Sequence, residues 1–114
     1  MMHEMALCES VLGILVEQSR VQNFSRVKTV WLEIGELSCA EPDALRFCFG
    51  AVTSDTLARD AELVILRTPG EGWCMACSKT VSIKERYDAC PDCGGFQVQV
   101  TAGEDMRIKE LEVD

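Results

Sequence analysis

Two Cys-x-x-Cys pairs constrain this chain more than any other feature. Cys74-Met75-Ala76-Cys77 and Cys90-Pro91-Asp92-Cys93 are separated by twelve residues. Each pair lets two sulfurs from one tight turn reach a common metal, and two such turns complete the tetrahedron that a structural Zn²⁺ accepts. The spacer, Ser78 to Ala89, is shorter than a common zinc-ribbon spacing but holds enough chain for a short hairpin. Gly94-Gly95 follow the second pair, where small residues leave backbone N–H groups free to approach sulfur, whereas Ser78-Lys79 follow the first. The two turns are therefore expected to differ. A module of about 25 residues buries too little apolar surface to fold unaided, so the metal supplies its folding free energy, of order 10 kcal/mol or more. No His or carboxylate is placed there as a base, and the site reads as architecture. Iron in a rubredoxin-like Cys₄ site uses the same four ligands and is the competing assignment. A dithiol redox pair needs only one of the two motifs and a βαβ setting.

The chain has seven cysteines. Cys8, Cys39 and Cys48 stand apart in segments that read as helix or turn, and an odd remainder argues against a secreted disulfide framework. They are expected as small, buried or half-buried thiols. At 114 residues the chain suits about one ordinary domain, or one domain with a small appendage. No apolar run approaches the ~18 to 20 residues that span a bilayer. The stretch "MALCESVLGILV" has Glu4 and Glu9 where a secretory signal carries basic residues, and no small-residue cleavage site follows. A cytoplasmic protein with no membrane partner is expected. The formal net charge of −8 works against a phosphate backbone and favours cations or basic partners, so no nucleic-acid partner is expected.

Leu7, Val11 and Leu15, with Ile14 and Val16 beside them, predict a first helix from about residue 6 to 19. In "RVKTVWLEIGELS" Val30, Leu32 and Ile34 alternate with Thr29, Trp31 and Glu33, which predicts a half-buried strand ended by Gly35. Pro42 opens a second helix with Leu45, Phe49 and Val52 on one stripe. "AELVILRT" is a second strand, and "PGEG" a linker into the cysteines. The closing "MRIKELEV" alternates Met106 and Ile108, then changes parity to Leu111 and Val113, which a bulge near Glu110 reconciles. The order predicts an α+β fold: a small sheet with two helices from residues 1–69 and 101–114, and an inserted Cys₄ zinc-ribbon-like domain over 70–100.

His3, in the opening "MMHEM", is the only histidine. Chain ends fray, so a lone terminal imidazole reads first as a solvated side chain. Its setting offers another reading. A terminal amine, deprotonable backbone amides and an imidazole close consecutive chelate rings through four nitrogens, a donor set that suits Ni²⁺ and Cu²⁺. Glu4 adds a carboxylate at the next position. With a single His there is no nucleophile and base pair, and no Gly-rich phosphate loop appears, so enzyme activity is not expected.

The motifs "MHE" at Met2 to Glu4, "WLEIGELS" at Trp31 to Ser38, the two cysteine pairs and the closing "MRIKELEV" together resemble the HypA/HybF family of nickel-insertion accessory proteins for nickel-iron hydrogenases, through essentially the whole chain. The resemblance implies an α+β nickel-binding domain with a zinc-binding domain inserted before the last strand. It implies that Ni²⁺ is held by the backbone nitrogens of Met2, His3 and Glu4 and by the imidazole. The metal is then passed to the hydrogenase large-subunit precursor with help from the GTPase HypB; whether the chain works as a monomer or a homodimer is left open by the sequence. A carboxylate after the first strand can join such a site, and Glu41 occupies the matching place. The family starts at the Met directly before His, so Met1 either precedes the working start or moves the terminal amine one peptide from the imidazole. A zinc-ribbon interaction module with an incidental His is the reading from a different class.

Overall fold

The computed structural model describes residues 4–38 and 40–114. Met1, Met2, His3 and Cys39 lie outside the described residues. The elements run α1 (Glu4–Gln22), β1 (Val27–Gly35), α2 (Pro42–Thr53), β2 (Glu62–Thr68), β3 (Glu71–Cys74), β4 (Lys79–Ser82), β5 (Val98–Ala102) and β6 (Met106–Val113). The strands form two sheets, ordered β2-β1-β6 and β4-β3-β5, giving the α+β class expected. The chain divides into two compact units. One takes the described residues within Met1–Leu32, Cys39–Ile65 and Ile108–Asp114, the other Glu33–Ser38 and Leu66–Arg107. No described helix is long and apolar enough to cross a membrane.

In the first unit the buried stripe of α1 is Cys8, Val11 and Leu15. Ile14 and Val16, expected beside it, are 47% and 40% exposed, so the buried stripe of α1 is little more than one residue per turn wide. Pro42 starts α2 behind an N-capping Glu41, as its fixed φ and missing N–H allow. Leu45, Phe49 and Thr53 face inward. Thr53 fills the place expected of Val52, and burial is tolerated because its hydroxyl donates to the Phe49 carbonyl at 2.7 Å. The Cys8 thiol donates to the Leu45 carbonyl at 3.4 Å and ties α1 to α2. On β1, Val30 and Leu32 are buried as the alternation predicts, and so is Ile34, which is counted with the second unit. Thr29 on the other face is buried too, its hydroxyl donating to the Glu112 carboxylate at 2.8 Å. Along β6 the inward positions change parity between Ile108 and Leu111.

In the second unit β3 is the central strand, antiparallel to both neighbours: Gly72 stands opposite Val81 of β4 and Val100 of β5. The "PGEG" segment is thus a linker only in part, since Glu71 and Gly72 open β3. Turn-forming composition concealed a stretch whose backbone is paired on both sides. The spacer holds no hairpin of its own either. It supplies β4, and the hairpin closes across the first cysteine pair. Asp88 organises the rest of the spacer by accepting from the Lys84 and Glu85 backbone N–H groups at 3.1 and 3.0 Å. Leu37, Cys74, Val81, Ile83 and Cys90 form the core, with Val98 and Val100 packed against them.

Candidate metal centre

Both cysteine pairs adopt the same turn. The carbonyl of the first cysteine accepts from the backbone N–H four residues on, Ser78 to Cys74 and Gly94 to Cys90, both at 2.8 Å. The donor residue in each case is left-handed, with φ of 53° at Ser78 and 73° at Gly94. The first sulfur also accepts a backbone N–H at 3.4 Å, from Cys77 in one turn and Asp92 in the other. The two turns thus share this backbone and differ in the amide that reaches the first sulfur, three residues on at Cys74 and two residues on at Cys90. Glycine at 94 supplies a left-handed residue without strain, and Ser78 adopts the same conformation at a cost of about 1 to 3 kcal/mol. The amides that reach sulfur are those inside each pair, while the Gly94 N–H is spent on a carbonyl.

The two turns bring four sulfurs together, all within 4.8 Å of one another. Cys74 and Cys93 are 3.7 Å apart at Sγ, Cys77 and Cys90 4.0 Å. A tetrahedron with Zn–S arms of about 2.3 Å has edges of about 3.8 Å, so these two edges match it and the whole cluster is compact enough to close on one ion. They are free thiols, far beyond the ~2.05 Å of a disulfide. An all-sulfur tetrahedron suits zinc or iron, not the square-planar nitrogen preference of Ni²⁺.

Crowding splits the thiols electrostatically. Hydrogen bonding with Cys93 and then Cys74 pushes Cys77 up to about 12, whereas the Cys93 backbone N–H, helped by that of Asp92, draws Cys90 down to about 7. The amides of the second turn thus favour the charged form of Cys90.

One pair of residues escaped the sequence reading. Lys79 Nζ lies 2.5 Å from Asp92 Oδ2, and Asp92 holds the ammonium above the ordinary lysine range. The signal, opposite charges next to the two pairs, was present but separated by a dozen residues. Its geometry also shows what the only carboxylate inside a cysteine pair does: it is engaged with Lys79.

Of the amino-terminal candidates, Glu4 and Glu41 are described, and the fold brings them together. Glu4 Oε2 accepts the Glu41 backbone N–H at 3.2 Å, joining the first turn of α1 to the start of α2. Glu41 Oε2 accepts from the Ala44 N–H at 2.9 Å as N-cap. Nearby, burial pushes the Cys8 thiol up to about 11, with Cys48 and Glu4 adding to the rise. Cys8 is buried and Cys48 half-buried, as small core thiols should be.

A family model described as "Hydrogenase/urease nickel incorporation, metallochaperone, hypA" matches residues 2–113. The chain belongs to the HypA family. It is 61% identical over 113 residues to the hydrogenase maturation factor HypA of Rhodopseudomonas palustris strain BisA53, covering 99% of this chain and all of that protein. It is 59% identical, over the same shares, to hydrogenase maturation factor HypA 2 of Bradyrhizobium diazoefficiens. The solution structure of the Ni metallochaperone HypA from Helicobacter pylori superposes with a TM-score of 0.73 at 26% identity, over 98% of this chain and 97% of that one. This HypA-family chain is thus one of a group of nickel-incorporation metallochaperones and hydrogenase maturation factors.

Proposed function

We propose that this chain carries Ni²⁺ at its amino terminus and helps insert it into the large-subunit precursor of a nickel-iron hydrogenase, in concert with the GTPase HypB. The imidazole of His3 and the backbone nitrogens of Met2, His3 and Glu4 form the nickel site, with Met1 setting where the terminal amine falls. Cys74, Cys77, Cys90 and Cys93 hold a structural zinc. The observation that carries the reading is the family match from residue 2 to 113, which spans both the Met-His-Glu start and the two cysteine pairs. Two features of the chain support it. The sulfur spacing suits the tetrahedron that zinc prefers, whereas Ni²⁺ prefers the square-planar nitrogen set that the amino terminus offers. Glu4, which follows His3 in the sequence, accepts the Glu41 backbone N–H and so joins the starts of α1 and α2.

The test is a calorimetric nickel titration of zinc-loaded protein. Wild type should bind Ni²⁺ stoichiometrically, and His3→Ala should lose that binding while keeping one zinc. Because a protonated ring cannot ligate, affinity should fall as pH drops through the imidazole range, about 6.5 for an unperturbed group. Acetylating the terminal amine should weaken the site without touching a side chain. Removing Met1 should preserve or improve it. Full zinc content with unchanged nickel affinity in both the His3→Ala and blocked-amine proteins would favour a zinc-ribbon interaction module instead. A red protein as purified would place iron in the sulfur site.

A further inference from the structure

We propose that Lys79 and Asp92 form a clasp that locks the two cysteine pairs around their metal and slows its loss. The inference rests on the zinc reading of the four thiols. Each charge belongs to a different pair. Asp92 lies between Cys90 and Cys93, while Lys79 follows Cys77 by two residues and opens β4, directly opposite Cys74 in the β3–β4 register. Their contact at 2.5 Å therefore bridges the two half-sites outside the sulfur cluster.

Three consequences follow from that placement. First, the Asp92 backbone N–H donates to Cys90 Sγ, so anchoring the Asp92 side chain also steadies an amide that offsets charge on a ligand sulfur. Second, four thiolates around a dication carry a net charge of about −2, and the Lys79 side chain is held beside the second pair by Asp92. A cation held there lowers the cost of that charge. Third, metal release requires the two turns to separate, and separation must break the ion pair. Lys79 and Asp92 are 54% and 51% exposed at their side chains, so solvent screens them and the effect is bounded. Exposed pairs couple by about two- to fivefold in an equilibrium or rate constant. Lys79 and Asp92 are thus positioning residues and donate nothing to the metal.

Zinc-loaded full-length protein, challenged with excess chromogenic chelator, gives the release rate. Lys79→Met, which keeps most of the stem, and Asp92→Asn should each release zinc about two- to fivefold faster at low salt. The double variant should be no faster than the singles, since one interaction is lost only once. Lys79→Arg should restore the wild-type rate, and molar NaCl should shrink all the differences. Wild-type rates in both singles, or fully additive effects in the double variant, would overturn the clasp. If Asp92→Asn does not fold, Lys79→Met against Lys79→Arg decides it alone: equal release by those two overturns it. A wild-type chain that takes up no zinc fails differently, removing the zinc reading and the clasp with it.

Discussion

Replacing Gly35 by alanine should destabilise the cysteine-bearing unit by about 2 to 4 kcal/mol. A Cβ at that position would lie 1.9 Å from the Gly103 carbonyl oxygen and 2.8 Å from the Glu104 nitrogen, where ordinary contact begins at 3.4 Å. Both obstacles are main chain, so no rotamer change relieves them, and the two backbones must part by roughly 1.5 Å. That separation pulls on two bonds, Gly35 N–H to the Asp105 carbonyl at 2.9 Å and Leu37 N–H to the Gly103 carbonyl at 2.8 Å. Each is worth about 0.5 to 1.5 kcal/mol. It also withdraws Leu37, 3% exposed, from a core in which full burial of such a side chain is worth about 1.5 to 3 kcal/mol. Calorimetry of the zinc-loaded protein should show the unit melting roughly 10 °C or more lower. Gly13→Ala is the matched control: it sits exposed in the middle of α1 with nothing within 4 Å of the new methyl, and should gain up to about 1 kcal/mol of helix propensity. A Gly35→Ala protein as stable as wild type would refute the reasoning.

Cys74→Ala or Cys93→Ala should lose zinc and the hydrogen-exchange protection of roughly residues 72–96, while nickel binding survives; retention of one zinc with native protection in either would count against the site. Glu41→Ala should cost about 1 kcal/mol in denaturant unfolding through its lost N-cap, and a nickel titration of the same sample separates that cost from any role as ligand. Lowering the pH should strip zinc before it unfolds the first unit, because protons compete for four thiolates; metal content and circular dichroism followed together report the order. With a net charge of −8, binding to DNA or RNA at physiological salt should be weak in a gel-shift assay, and tight salt-sensitive binding would contradict the charge argument.

Elements with a strong period were legible from the residues. The alternation of Val30, Leu32 and Ile34 specifies β1, and Pro42 with Leu45 and Phe49 specifies α2. The four thiols were legible too, because metal-binding turns leave a spacing that tolerates almost any sequence between. What stayed hidden depends on partners distant in the chain. β3 and β5 are too short for their period to stand out, and pairing with each other makes Glu71 to Cys74 and Val98 to Ala102 strands. Thr29 and Thr53 looked like surface residues until Glu112 and the Phe49 carbonyl supplied their hydroxyls with partners. Ser78 concealed its turn because a left-handed serine carries no compositional mark, whereas Gly94 advertised the same conformation openly. The pairing of Glu4 with Glu41 likewise needs α1 packed on α2 before it exists.

The four sulfurs are not equally sheltered. In each turn the first cysteine looks inward, with Cys74 and Cys90 1% and 2% exposed, while Cys77 is half-buried and Cys93 open to solvent. A thiol reagent approaching from outside therefore meets Cys93 first and Cys77 next. It reaches Cys74 and Cys90 only after the core they share with Leu37, Val81 and Ile83 has opened. Covalent labelling, read one cysteine at a time by mass spectrometry, would then serve as a clock for the unit's disassembly, with early marks recording a loosened rim and late ones an opened core.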